Sequence, residues 1–227
     1  MGESKFPGPR LYLRNQLVAI ELSAVDLHLP IVKTLAWSGE DATRAFAQSL
    51  AAHPALADAS IFLHGELGAG KTTLVRHLLQ AMGVTGRIKS PTYAVVEPYE
   101  LPNLYIWHFD FYRFADPREW EDAGFRDIFA SPGLKLSEWP EKAGAQLPLP
   151  DLDIYIALPT PEAWEAERFA QVKGGGRRPG DTEQNAQPPK LPPDKDKDND
   201  NDSARIVTLT ARTATGLTLL DASGVSA

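Results

Sequence analysis

Gly65-Glu66-Leu67-Gly68-Ala69-Gly70-Lys71-Thr72 reads as G-x-x-x-x-G-K-[ST], the pattern of a phosphate-binding loop. Glycines let backbone N–H groups turn inward onto phosphate oxygens, Lys71 can reach the outer phosphates, and the Thr72 hydroxyl suits Mg²⁺. The flanks supply what such a loop needs. Ala59-Ser60-Ile61-Phe62-Leu63-His64 is a short apolar run of buried-strand type that leads directly into Gly65. Beyond the loop, Leu74, Val75, Leu78, Leu79 and Met82 recur at helical spacing, and Gly83 is placed to end the helix. A helix start carries unpaired N–H groups and partial positive charge, which favour a bound phosphate. The bland alternative is a glycine turn that joins two elements and holds nothing.

The rest of the chain bounds what surrounds this unit. With 227 residues and 43% hydrophobic content it can bury one sizeable core. The net charge of −7 gives no basic field for a phosphate backbone, so direct, autonomous nucleic-acid binding is not expected. The absence of cysteine removes disulfides, thiol catalysis and Cys-based zinc sites. No apolar run reaches the roughly 18 residues that span a bilayer. The first residues, with Glu3, Lys5, Pro7 and Pro9, do not resemble a secretory signal, so no membrane role and a cytoplasmic location are expected.

The periodicities predict an α/β fold: a single P-loop NTPase domain with a mixed β-sheet flanked by helices. Residues 1–34 form an extension without a readable pattern, 35–172 the nucleotide domain, 173–202 an insert, and 203–227 C-terminal strands that complete the domain. Ser38 with Glu40 and Asp41 resembles a helix start, followed by an amphipathic face to about Ala52. Tyr93 to Glu97 and Leu104 to Asp110 are expected to pair as a hairpin, with Glu100 to Asn103 turning between them. Asp116-Pro117-Arg118-Glu119 signals a helix closed by Gly124, and Leu134 to Glu138 a short strand. Leu152, Ile154, Ile156 and Leu158 alternate as a strand, and Ile206 to Leu209 with Leu217 to Leu220 suggest two more. The insert is rich in Gly, Pro, Asn, Asp and Lys and poor in apolar residues, so disorder is expected there. Its alternating acids lack the glycine and terminal glutamate of an EF-hand loop.

Phosphoryl chemistry needs charge neutralised on the γ-phosphate and an attacking group positioned. Asp110 and Glu138 each close an apolar strand, where a carboxylate can meet Mg²⁺, although either could be an ordinary surface acid. Thr92, within Ser90-Pro91-Thr92-Tyr93, could sense the γ-phosphate or sit in a plain proline turn. His108 points to the same side as Asp110 but lacks a second His at metal spacing, so it reads as a packed or solvent-facing ring. Trp107, Trp120, Trp139 and Trp164 read first as packing residues, and Trp139 could also line the site.

Four pieces together resemble the bacterial ATPase subunit of tRNA threonylcarbamoyladenosine biosynthesis, the TsaE family. They are Gly65 to Thr73, Lys89-Ser90-Pro91-Thr92-Tyr93 continuing to Val96-Glu97-Pro98-Tyr99, His108-Phe109-Asp110-Phe111-Tyr112-Arg113, and Glu138-Trp139-Pro140. The resemblance implies bound ATP and Mg²⁺. It assigns Gly68, Ala69, Gly70, Lys71, Thr72 and Thr73 to the phosphates, and Glu40 and Thr43 to the stretch beside the nucleotide. It makes Thr72, Asp110 and Glu138 the metal-associated groups, and Lys71, Asp110, Glu138 and Thr92 the catalytic set. It further implies partner-stimulated ATP hydrolysis with the threonylcarbamoyl-transferase TsaD and its paralogue TsaB, tRNA being engaged through that assembly. The N-terminal extension and the insert depart from the compact family pattern. A small-molecule or nucleotide kinase shares the loop, but Arg113, Arg118 and Arg126 are dispersed rather than clustered on a lid. A module using ATP only as a conformational ligand is the other alternative.

Overall fold

The computed structural model describes residues 30–114, 124–161, 163, 166 and 203–222. Strands β1 (Ile31–Trp37), β2 (Ser60–His64), β3 (Val96–Leu101), β4 (Leu104–Asp110), β5 (Leu134–Glu138), β6 (Leu152–Ala157) and β7 (Arg205–Ala211) form one sheet. Its order is β1-β7-β6-β2-β5-β4-β3. The four central strands β6, β2, β5 and β4 are parallel, and β3, β7 and β1 extend them antiparallel at the two edges. This is the expected mixed α/β sheet. Parallel strands are covered on both faces, and β5 is buried at every position, its polar Lys135, Ser137 and Glu138 included.

Helices α1 (Glu40–Ala51) and α2 (Lys71–Ala81) pack on each other over one face of the sheet. Their buried stripes, Phe46, Ala47 and Leu50 on α1 and Leu74, Val75, Leu78 and Leu79 on α2, meet Leu35, Ile61, Leu63, Leu136 and Leu209 in the main core. A second core lies around Phe109, Phe111, Phe114 and Phe125, the last being the first residue of α3 (Phe125–Ala130). A short helix α4 (Pro140–Ala143) follows β5 directly, and α5 (Ala214–Ala222) follows β7.

Several local expectations are corrected. The cap of α1 is Gly39, not Ser38, and no side chain caps that helix. Tyr93, Ala94 and Val95 form a turn, and the strand begins only at Val96 and runs on to Leu101. Val95 takes φ 66°, an unusual setting for a β-branched residue. Hydrogen bonds from Val95 N to Pro91 O at 2.7 Å and from Asp110 N to Val95 O at 2.9 Å hold it there. Leu217 to Leu220 is helical, so the C-terminal pair is a strand and a helix. Thr213 Oγ1 accepts from the Gly216 amide at 3.1 Å, as a helix N-cap does, and Leu219 and Leu220 are then buried. Gly124 opens α3, which the periodicity did not predict. Strand β1 starts at Ile31, ahead of the expected domain start at 35. The helix signal at Asp116 to Glu119, Trp120, Trp164 and the 173–202 insert lie outside the described residues.

Candidate functional site

Strand β2 delivers the chain into the glycine loop beside β6. A Cβ on Gly65 would lie 2.2 Å from Ile156 O, so only glycine allows this close passage. Gly70 has φ 109° and caps α2, which puts Lys71 and Thr72 in the first turn with their amides unclaimed by a preceding helical turn. Lys71 is buried, and its Nζ donates to Gly65 O at 2.6 Å and Glu66 O at 2.9 Å while lying 3.8 Å from the centre of the Trp139 ring. Burial pulls this ammonium below the ordinary lysine range, against Glu138, Glu141, Asp110 and Glu66, whose charges hold it up.

The two carboxylates come from neighbouring parallel strands. Register pairs Asp110 with Glu138 at the ends of β4 and β5, so both reach the same edge of the sheet. Asp110 Oδ2 accepts from Thr92 Oγ1 at 2.7 Å and from Ser90 Oγ, and Oδ1 accepts from Tyr112 N at 2.9 Å. The Thr92 segment therefore rests on the Asp110 carboxylate. Thr72 Oγ1 lies 2.9 Å from each oxygen of Glu138, and His108 Nε2 lies 2.8 Å from Oε1. Both carboxylates are buried, Asp110 3% and Glu138 2% exposed, which only such partners make tolerable.

One open cavity gathers Gly68, Gly70, Lys71, Thr72, Thr73, Thr92, Asp110 and Glu138, together with Leu67, Ser90, Tyr112 and Trp139. Ala69 and Thr43 line an adjoining recess that shares Gly70 and Thr73 and adds Trp37, Gly39, Ser203 and Arg205. Glu40 lines neither. It is hydrogen-bonded to His77 Nε2 at 2.8 Å, tying the start of α1 to α2. Arg205 was not predicted, and it braces the loop from behind. Its Nε donates to Ala69 O at 2.8 Å, and Nη1 donates to Ala204 O at 2.9 Å. No local signal could reveal a partner 136 positions away. Ser90 stood within the motif that singled out Thr92, and its hydroxyl beside Asp110 is the added finding. Trp139 does line the cavity, as one of its two readings held.

The donor set fits a magnesium nucleotide. Thr72, Asp110 and Glu138 offer hard oxygen atoms, while the loop offers amides and an ammonium to phosphates. Among the described residues no group of three His, Cys, Asp or Glu could hold a metal by itself. A magnesium ion usually completes its shell with phosphate oxygens and water, so one or two protein carboxylates suffice.

The family model of the threonylcarbamoyl adenosine biosynthesis protein TsaE matches residues 37–167. The chain is 49% identical to the tRNA threonylcarbamoyladenosine biosynthesis protein TsaE of Haemophilus influenzae, over 42% of this chain and 61% of that protein. It is 35% identical to the protein of that name in Bacillus subtilis, over 55% of this chain and 78% of the relative. The fold also matches a crystal structure of Bacillus subtilis YdiB with a TM-score of 0.56 at 21% identity, covering 87% of this chain and 97% of that one. With the family model matching more than half of its length, the chain belongs to the TsaE family of threonylcarbamoyl adenosine biosynthesis proteins.

Proposed function

We propose that this protein binds ATP with Mg²⁺ and hydrolyses it to support threonylcarbamoyladenosine modification of tRNA at position 37 for codons beginning with A. The observation that carries this reading is the contact of Thr72 Oγ1 with Glu138 at 2.9 Å, in one cavity with Asp110 and Lys71. In a P-loop nucleotidase that hydroxyl and a strand-end carboxylate are the groups expected around the metal.

The loop amides from Gly68 to Thr73 and the Lys71 ammonium would hold the phosphates. Lys71 leaves the Gly65 and Glu66 carbonyls to do so, exchanging neutral acceptors for an anion. Bound Mg²⁺ would supply neutralisation of charge on the transferring phosphoryl group. Thr72, Asp110 and Glu138 would hold it, directly or through water. Glu138 would also orient the attacking water, and Thr92, resting on Asp110, would respond to the γ-phosphate. Thr43 would lie on the side beside the nucleoside, and Glu40, which lines neither recess, would support that side through His77. Trp139, stacked under Lys71, keeps water off that ammonium's flank.

The partners in this reading are TsaD and TsaB, with tRNA engaged through them, as suits a chain of net charge −7. A cytoplasmic setting belongs to the same proposal, and no described helix is long and apolar enough to cross a membrane. So does the domain division, with residues 173–202 acting as a linker within one ATPase domain.

The test is ATP hydrolysis by wild type beside Lys71→Ala, each alone and with TsaD, TsaB and tRNA. The expected result is Lys71-dependent hydrolysis that rises with the assembly. Hydrolysis indifferent to the assembly, with ADP formed only when a small acceptor is supplied, would instead indicate a kinase.

A further inference from the structure

His108 has no role in the reading above, and its surroundings give it one. On β4 it lies two residues before Asp110, on the same face, and wholly enclosed. The ring makes one hydrogen bond, from Nε2 to Glu138 Oε1 at 2.8 Å. Its other nitrogen, Nδ1, is buried with no partner among the described residues. A residue kept only to fill this space would be apolar, because an unpartnered buried ring nitrogen destabilises the fold. The position has accepted that penalty, and the single contact obtained in exchange is with a carboxylate of the cavity.

We infer that His108 is a positioning residue that fixes the Glu138 carboxylate toward the phosphate loop. Among the described residues the side chains hydrogen-bonded to that carboxylate are Thr72 and His108. When the Thr72 hydroxyl turns to a metal ion, the imidazole becomes the remaining side-chain anchor. It holds Oε1 and leaves Oε2 without a bond to the ring. A carboxylate free to rotate would meet the metal and the water in several orientations, and only one of them is productive. The inference concerns orientation rather than charge, and it rests on the ATPase reading above.

The experiment pairs His108→Leu, which keeps bulk but removes the donor, with His108→Gln, whose amide nitrogen reaches the place of Nε2. Loss of such a supporting partner is expected to lower kcat by about tenfold to a hundredfold in His108→Leu, with nucleotide Kd within about threefold of wild type. His108→Gln should recover most of the rate, which a merely structural defect would not do. A second readout needs neither nucleotide nor turnover. Nitrogen-15 spectra of the ligand-free protein should show a slowly exchanging proton on His108 Nε2 that exchanges rapidly in Glu138→Ala. Unchanged kcat in His108→Leu, equal losses in both variants, or an Nε2 proton indifferent to Glu138→Ala would overturn the inference. If wild type shows no Lys71-dependent hydrolysis, the ATPase reading fails by itself. The ring spectrum then decides alone whether His108 holds Glu138.

Discussion

Among the described residues three histidines lie 2.8 Å from a carboxylate, and two of these pairs, His64 with Asp153 and His108 with Glu138, are built differently. The side chains of His108 and Glu138 are 0% and 3% exposed, while those of His64 and Asp153 are 25% and 14% exposed. His108 uses one nitrogen and strands the other. His64 uses both, with Asp153 at Nε2 and Glu141 at 3.4 Å from Nδ1, and Asp153 also accepts from Arg212 Nε at 2.7 Å. Strand alternation separates them further. Ile61 and Leu63 of β2 point into the main core, so His64 faces the other side, at the root of the loop rather than in its cavity. The saturated cluster fastens β2 to β6 and α4. The unsaturated pair leaves Glu138 Oε2 with no bond to the ring, shared only with the Thr72 hydroxyl among the described side chains. On the ATPase reading, burial and completeness of bonding, rather than distance, separate a fastening from a working group.

This difference can be broken by exchanging one carboxylate of each pair for its amide. On the ATPase reading, Glu138→Gln removes the group that orients water, and kcat should fall by about 10²–10⁴-fold while the thermal midpoint stays near wild type. Asp153→Asn should do the reverse. It leaves His64 and Arg212 without their shared anion, which costs about 2 kcal/mol of stability given the partial exposure of Arg212, and leaves turnover near wild type. Urea unfolding and ATPase assays on both variants check this. A stability loss confined to Glu138→Gln, or an activity loss confined to Asp153→Asn, would reverse the assignment.

What the sequence discloses follows the range of the interactions. Strand β2, the loop and α2 are contiguous, and each is fixed by local pattern, so their order and limits were legible. Asp110 and Glu138 were legible as strand-ending acids, and the parallel register of β4 and β5 then brings them together. The partners that hold them were not. Ser90 and Thr92 reach Asp110 ahead of a turn in which Val95 adopts a positive φ, a tertiary override of its strand preference. Leu217 to Leu220 is a short apolar run that fits strand and helix alike, and the Thr213 cap settles it. Arg205 on β7 and the loop carbonyl at Ala69 after β2 meet across one intervening strand, β6, an adjacency that no window of sequence contains. His108 was legible as lying beside Asp110, but its bond to Glu138 depends on the neighbouring strand.

The smallest effect concerns pH and sharpens the comparison through the His64 cluster. Burial would lower the His64 pKa, but hydrogen bonds and charge from Asp153 and Glu141 outweigh it and raise it to about 9 from 6.5. Burial would likewise raise Asp153 and Glu141. His64, with Arg212 at Asp153 and Lys71 at Glu141, holds both below their ordinary values. A raised imidazole pKa contributes stability that is fully present below 6.5 and is lost as pH climbs through about 9. The depressed carboxylates contribute stability present above their ordinary values of 4.5 and 3.8 and lost as pH falls. The cluster therefore fastens best between the carboxylate range and pH 6.5. One proton sets the limit above that window, so stability should decline by at most about 1.4 kcal/mol per pH unit. Urea unfolding of wild type and His64→Asn at pH 6, 7.5 and 9 measures it, since asparagine does not titrate. The gap between the two proteins should be widest at pH 6 and narrow by pH 9. A gap that is constant with pH would mean that His64 acts there as a neutral hydrogen-bonding ring, and the contrast with His108 would then rest on geometry alone.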